Sequence, residues 1–361
     1  MTPIDVTDLL AGQETFLTPG MFNSVVLQSP STVVQYLSPL IHIAFKLIPR
    51  EYIATTPLFF YIPSYLRSID AERASLVARE AIHYLEDKYQ VPFLFTKMGF
   101  ATKQSASSWV TLNFLRGALR KPKDTSDYPM IVKPHSKKPR TVGILNINAD
   151  LRVVMSFNKI IIDSNVTDLI RVSDNVFALV ADESPADLPN MLLNYVMALN
   201  NGSNDEIIVS PCHHKRFEKR IRFQLIPKLF VGSGNKKRCR EVLKEVIPHF
   251  MSRHIQMYKG RLYTFLATVE SLQEAGCSSC DANMKYITPG LIVKTAQEFC
   301  ESSYDNVYAC VQSSILIEGL TRRYGLRENR RIRVLQNVSG VDLEWSLGAI
   351  LISLGLLESE V

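Results

Sequence analysis

The sequence predicts an α/β protein of two lobes, and three observations carry that expectation. Between residues 30 and 119, amphipathic stretches alternate with short apolar runs as helix, strand, helix, strand, helix, an order that implies parallel strands joined by crossovers. A stretch rich in charge and proline, "RKPKDTSDYPMIVKPHSKKPR" (120–140), then interrupts the pattern and makes the natural break. Beyond it come three strand patterns followed by alternating helices and strands, the order of a ribonuclease-H-like lobe. The expected domains are a first lobe over 1–125, a linker over 126–140 and a second lobe over 141–361.

"SPSTVVQYLSPLIHIAFKLIP" (29–49) opens with Ser29 as N-cap and Pro30 at the first helical position, and Val33, Leu37, Leu40, Ile41 and Ala44 recur at helical spacing. "PLFFYI" (57–62) and "VPFLF" (91–95) are apolar runs fit for buried strands. Between them "DAERASLVAREAIHYLEDKY" (70–89) is an amphipathic helix with Leu76, Ala78, Ala81 and Leu85 on one side. "SASSWVTLNFLRGAL" (105–119) completes the first lobe as a helix. In the second lobe "TVGILNI", "LRVVMSF" and "NVFALVAD" read as strands, the first two joined by a tight turn. Helices are expected over 187–201, 237–250, 288–300 and 305–325, then a strand at "RIRVLQNV" and a closing helix at "DLEWSLGAILISLG".

The 361 residues are 46% hydrophobic and 21% charged, the composition of a globular protein. No apolar run reaches the roughly 18–20 residues of a membrane-spanning helix, and the acidic N-terminus lacks the basic region of a cleavable secretory signal. The net charge of +6 concentrates in "KPHSKKPR" (133–140), "HHKRFEKRIR" (213–222), "NKKRCR" (235–240) and "RRYGLRENRRIR" (322–333). Such clusters attract acidic protein, nucleic acid or anionic lipid. Aromatics are not interleaved as stacking platforms, so a solvated basic surface competes with these partners. All six cysteines follow residue 211. Cys277-Ser-Ser-Cys280 has the spacing of half a zinc site or a redox pair, and without a second half-site no metal is expected. No cofactor is expected either.

"TVGILNINADLRVVMSF" (141–157) raises the functional question. Hairpins of this kind lie under nucleotides in many phosphate-binding folds, where glycines let the backbone approach a phosphate. Here the turn is Asn146-Ile147-Asn148-Ala149-Asp150, without glycine.

The order of these segments, together with several phrases, resembles the apyrase family: nucleoside triphosphate diphosphohydrolases and guanosine diphosphatases of the actin-like ATPase superfamily. "LTPGMFNSVVLQSPSTVVQYLSPLIHIAFKLIP" is similar to that family's "PGISSYA" segment and the helix after it. "TPLFFYIPSYLR" stands where the family has "TPVYLGATAGLR", and "KQSASSWVTLNFLRG" where it has "EEGxxGWxTxNYLLG". "TVGILNINADLRVVMSF" stands for "TVGALDLGGASTQITF". "SPCHHKRFEKRI…VGSGNKKRC", "EFC…YACVQSSILIEGLTRRYGL" and "SGVDLEWSLGAIL" follow later family phrases in order. The resemblance implies two ribonuclease-H-like lobes with nucleotide bound where the lobes meet.

Departures from the family pattern are as telling. Only sixteen residues precede "LTPG", too few to hold the family's first phosphate loop, so the first lobe is expected to be incomplete. Arg67 persists, but its small neighbours are replaced around Ser64 and Tyr65. The family's water-positioning glutamate falls on Gln104 and the glycine after it on Ser105. The aspartate tied to the metal-bound water falls on Asn146, its two glycines on Asn148 and Ala149, and its serine on Leu151. A glutamine cannot accept the water's proton and an asparagine is a poor partner for a divalent cation. The sequence is therefore read as a non-catalytic pseudoenzyme, a structural or accessory subunit whose exposed first-lobe strands are covered by other protein subunits. The alternatives are an active or weak nucleoside di- or triphosphate phosphohydrolase, a binder of nucleic acid or anionic membrane through the basic clusters, and a nucleotide sensor without turnover. The resemblance further implies disulfides Cys212–Cys239 and Cys300–Cys310, each with Cα atoms closer than about 7 Å. The basic charge leans towards an organelle such as the mitochondrion, with the secretory pathway as the alternative.

Overall fold

The computed structural model describes residues 30–53, 55–56, 59–62, 71–89, 97–100, 104–119, 140–148, 151–159, 168–172, 175–183, 188–199, 207–223, 226–246, 258–303, 306, 308–353 and 358–360. They belong to two compact units, residues 12–102 and residues 103–361. The expected linker at 126–140 lies almost entirely outside the described residues.

In the first unit, helix α1 (Pro30–Leu47) begins on a proline, whose missing N–H would have had no helical partner there. A single turn, α2 (Arg50–Ile53), follows, and Thr56 Oγ1 donates to the Tyr52 carbonyl at 2.7 Å. Strand β1 (Phe59–Ile62) leads to helix α3 (Ala71–Tyr89) and strand β2 (Lys97–Phe100). β1 and β2 pair in parallel, Phe59 opposite Lys97, with α3 as the crossover that parallel strands require. α1 packs on α3 through buried Val34, Ile41, Val77 and Ile82, and Lys88 Nζ donates to Ser38 Oγ at 3.3 Å.

Two expectations change here. The strand partner of β1 is Lys97–Phe100 rather than 91–95, which lies outside the described residues; Pro92 could not have donated to a ladder. Leu76 is 38% exposed, and Val77 and Ile82 face the neighbouring helix instead.

The second unit starts with helix α4 (Gln104–Leu115). The first sheet strands are β3 (Gly143–Ile147), β4 (Val153–Lys159), β5 (Asp168–Val172) and β6 (Asn175–Glu183). Helix α5 (Leu188–Leu199), strands β7 (Ile207–Ser210), β8 (Glu218–Phe223) and β9 (Ile226–Gly232), and helix α6 (Lys236–Val246) make a side structure. The chain then runs through β10 (Leu262–Phe265), α7 (Leu266–Glu274), β11 (Tyr286–Ile287), α8 (Pro289–Ser302) and α9 (Ala309–Glu318). A π-helical turn, Gly319–Arg323, extends α9. Strands β12 (Ile332–Leu335), β13 (Asn337–Val338) and β14 (Val341–Asp342), helix α10 (Trp345–Ser353) and strand β15 (Glu358–Glu360) complete it.

Eight strands form one sheet in the order β11-β12-β10-β3-β4-β6-β5-β15. Its centre, β6-β4-β3, is antiparallel, and β10 and β12 join parallel to β3, the ribonuclease-H-like arrangement. The third expected strand is a pair: β5 returns beside β6 with Val172 opposite Asn175, and the sequence reading missed it. The helix expected over 305–325 starts at Ala309 and ends in the π turn.

All five residues of β3 are buried because helices cover both faces of the sheet. Leu145 and Ile147 pack towards Val269, Leu272, Ile292, Leu316 and Leu320 of α7, α8, α9 and the π turn. Ile144 packs towards Trp109, Leu112 and Leu351 of α4 and α10. Among α4 residues, Ser105 to Asn113 are all buried, the signature of a helix enclosed on every side. Asn113 clamps α4 to the sheet: its Nδ2 donates to Val142 O at 3.1 Å and its Oδ1 accepts from Val142 N at 2.9 Å. Gly348 brings α10 against α4 so closely that a Cβ there would sit 2.0 Å from Ser107 O. α4 thus belongs to the large sheet, and the units divide at residues 102 and 103.

β7, β9 and β8 form a three-stranded sheet packed on α5 and α6 through Leu192, Ile208, Phe230 and Val242. The Cys212–Cys239 disulfide crosses this core with Cα atoms 4.7 Å apart.

Candidate functional site

Three segments meet at the end of β3. The strand delivers Asn146 and Asn148, the first turn of α4 delivers Gln104, and the β10–α7 junction delivers Thr264, Phe265 and Thr268. Asn146 is buried, and its Oδ1 accepts from Phe265 N at 3.0 Å and lies 3.1 Å from Thr264 Oγ1. Phe265 is the N-cap residue of α7, so the Asn146 carboxamide is pinned at a helix start. Thr264 Oγ1 also lies 2.7 Å from Thr268 Oγ1, which accepts from Ile147 N at 3.0 Å. Two residues on, Asn148 Nδ2 donates to Gln104 Oε1 at 3.3 Å. Asn148 N donates to Arg152 O at 3.0 Å, and Leu151 N donates to Asn148 O at 2.8 Å, closing the turn.

Gln104 and Asn146 therefore lie at one end of β3, joined through Asn148, beside the first turns of α4 and α7. Unpaired backbone N–H groups and the helix dipole make such starts favourable for anions. Two more of the positions matched to the family's motifs are enclosed in the core. Leu151 is 3% exposed and fills the core beneath the sheet with Val153 and Val269, so it is a packing residue rather than a phosphate contact. Its φ of 56° is unusual for a leucine and is held by the turn bonds around it. Ser105 is 2% exposed and enclosed in α4. Arg67, Ser64, Tyr65 and Ala149 lie outside the described residues.

The reading of the sequence overlooked Thr264 and Thr268, since "LYTFLATVE" carries no motif and their partners lie more than a hundred residues away. It also overlooked Glu344, which precedes α10 and whose carbonyl accepts from Thr111 Oγ1 at 2.8 Å. Burial, then Asp342 and Glu270, raise its carboxyl above the ordinary value of 4.5. Thr111 lies two turns along α4 from Gln104, about 10 Å by helical rise, so this carboxyl is apart from the amide cluster.

A divalent cation, implied by the resemblance, fits the described residues poorly. No three His, Cys, Asp or Glu side chains among them converge on one point, and Asn146 Oδ1 is engaged by Phe265 and Thr264. Cys277 and Cys280, read as half a metal site or a redox pair, are bonded to each other. Cys300 and Cys310 are bonded with Cα atoms 4.2 Å apart, so all six cysteines are paired.

Comparison with known proteins gives a family likeness. Residues 6–168 match the GDA1/CD39 (nucleoside phosphatase) family, a span that includes Gln104, Asn146 and Asn148. Over that span the chain is similar to that family. It is 24% identical over 362 residues to the mouse ectonucleoside triphosphate diphosphohydrolase 6, covering 93% of this chain and 74% of the relative. It is 20% identical to the Caenorhabditis elegans nucleoside-diphosphatase mig-23, covering 93% of this chain and 68% of that one. A crystal structure of nucleoside triphosphate hydrolases from Neospora caninum superposes with a TM-score of 0.51 at 11% identity, over 91% of this chain and 77% of that one, and shows the shared actin-like fold.

These findings correct the expectation that the chain is not an enzyme, because the family it matches and the relatives it resembles are nucleoside phosphatases by name. The physical flaw lay in equating a lost carboxylate with lost turnover. Phosphoryl transfer passes through a loose transition state in which positioning and charge stabilisation outweigh proton abstraction, and a glutamine can orient the attacking water.

Proposed function

We propose that this chain, similar to the GDA1/CD39 family, is a nucleoside di- or triphosphate phosphohydrolase working at the end of β3. The observation that supports this most directly is the Asn148–Gln104 hydrogen bond at 3.3 Å, which holds two family site positions at one strand end between the starts of α4 and α7. In this reading Gln104 exchanges Asn148 for the attacking water and orients it with its carboxamide. The water's proton leaves to a phosphate oxygen, since an amide does not take it. Asn148 Nδ2 and the positive ends of the two helix dipoles stabilise the charge on the transferred group. Asn146 holds β3 and β10 at the spacing that this requires.

The test is phosphate release by the purified chain from nucleoside di- and triphosphates supplied with a divalent cation. Turnover above the protein-free rate is expected, with Gln104→Ala reducing it about tenfold or more. Gln104→Glu should increase it, because general base catalysis contributes about 10²–10⁴-fold. No release from any nucleotide, by either the native chain or Gln104→Glu, would overturn the proposal.

For the compartment we favour the secretory pathway over the mitochondrion. Three disulfides persist in oxidising surroundings, and the mouse and rat relatives carry "ecto" in their names. No helix among the described residues is long and apolar enough to cross a membrane.

A further inference from the structure

A second polar concavity lies away from the end of β3, in the side structure. A cavity of about 340 Å³ opens between the 211–217 loop, α6, α8 and α9. Its floor is apolar, made by Leu243, Ile317 and the Cys212–Cys239 and Cys300–Cys310 disulfides, which tie the loop to α6 and α8 to α9. Lys215, Lys236 and Arg240 stand on one wall, and Gln297 and Glu301 of α8 on the other.

The charges do not cancel. Buried Glu318 is matched by two arginines: Arg240 Nε reaches one carboxylate oxygen, and Arg322 Nε lies 3.0 Å from the other. Lys215 and Lys236 have no carboxylate partner among the described residues, so the mouth of the cavity keeps a surplus of positive charge. They are brought together by Gly234, whose φ is +61° and where a Cβ would press to 2.9 Å of Lys215 Cγ. The next residue, Asn235, caps the eleven-residue α6 by accepting from Arg238 N at 3.0 Å, and Lys236 N donates to Gly234 O at 3.1 Å, so both lysines stand at the positive end of the helix dipole.

An independent observation points to a ligand. Ser313 lies on the cavity lining, is 2% exposed, and its Oγ has no hydrogen-bond partner. A buried hydroxyl left unpaired costs about 1–3 kcal/mol, and native structures seldom keep one without a reason.

We propose that this cavity binds a phosphate monoester on a hydroxyl-bearing body, a nucleoside monophosphate or a sugar phosphate. The phosphate sits between Lys215 and Lys236 at the start of α6. The body lies over Leu243 and Ile317, and one of its hydroxyls pairs with Ser313 after a small shift of that side chain. Lysines suit a phosphate as point charges, and the helix dipole favours an anion at this end of α6. The body needs an apolar face as well as hydroxyls, which a ribose or hexose ring supplies. The site stands whether or not the end of β3 hydrolyses nucleotides.

The experiment is calorimetric titration of the 361-residue chain with AMP, glucose 6-phosphate and inorganic phosphate. At least one monoester should bind saturably. Lys215→Ala with Lys236→Ala should weaken it about tenfold or more, and added salt should weaken it further. Ser313→Ala should weaken the monoester but not inorganic phosphate, and Gln104→Ala should leave all three unchanged. AMP binding with glucose 6-phosphate silent, or the reverse, identifies the body. No saturable binding, equal binding of inorganic phosphate and monoester, or loss on Gln104→Ala instead of the lysine double variant would each overturn the assignment. Nucleotide hydrolysis by the lysine double variant is measured in parallel. Retained turnover with lost monoester binding separates the two sites, and the reverse result would place the lysines in the hydrolytic one.

Discussion

The end of β3 and the cavity beside α6 both enclose polar side chains, yet they treat them in opposite ways. At β3 every polar contact closes on another group of the chain: Asn146 on Phe265 and Thr264, Thr268 on Ile147, Asn148 on Gln104. In the cavity the groups stay open, with Ser313 Oγ unpaired and two lysines without counter-charges among the described residues. A closed network rigidifies the backbone that carries it, whereas an open one keeps binding energy for something else. The first arrangement suits a site whose parts must be held in place before substrate arrives. The second suits a pocket whose polar groups are completed by the ligand.

Truncating one polar group in each place tests the contrast, because the two changes should have opposite signs. Asn146→Ala leaves the Phe265 N–H buried without an acceptor and should lower stability by about 1–3 kcal/mol in urea unfolding. A smaller loss would mean that water or a neighbour takes the acceptor's place and that the network is not closed. Ser313→Ala removes a hydroxyl already unpaired, and should leave stability unchanged or raise it by about 1 kcal/mol. A clear loss there would show that the hydroxyl has a partner, which would remove the main sign of a ligand.

The smallest expected effect concerns charge near the far end of α4. Burial, Asp342 and Glu270 raise the Glu344 carboxyl in the folded protein. The folded state therefore prefers the protonated form. The contribution to stability is full below the unfolded value near 4.5 and is lost as pH rises through the folded value. Glu344→Gln, neutral at every pH, should melt at a slightly higher temperature than the native chain at pH 7 and at the same temperature at pH 4. Equal melting at both pH values would show that burial and the neighbouring carboxylates do not disfavour the ionised carboxyl.

Much of the architecture was legible because it rests on local signals. The strand pattern of β3 and β4 with its tight turn and the helix starts at Pro30 and Pro289 follow from periodicity and punctuation a few residues long. What escaped needed information from far away. β5 was missed because "DLIRV" is too short and mixed to stand out until β6 and β15 pair with it. α4 was assigned to the first lobe because chain order placed it there. Burial on every side removes the amphipathic stripe that would have shown which sheet it packs on.

The site divides the same way. Gln104, Asn146 and Asn148 could be singled out by resemblance, and the amides could be read directly from the sequence. Thr264, Thr268 and the open cavity could not, because a hydrogen bond between residues 119 positions apart leaves no trace in either local pattern.

By itself the sequence determined the α/β class, the family likeness and the cysteines available for pairing, since each is carried by residue types in linear order. Only the tertiary structure decided that Asn146 is pinned to the start of α7, that Leu151 belongs to the core, and that Ser313 and two lysines line one cavity. Those are statements about which groups satisfy one another across the fold, and satisfaction depends on distance and direction, which linear order does not contain.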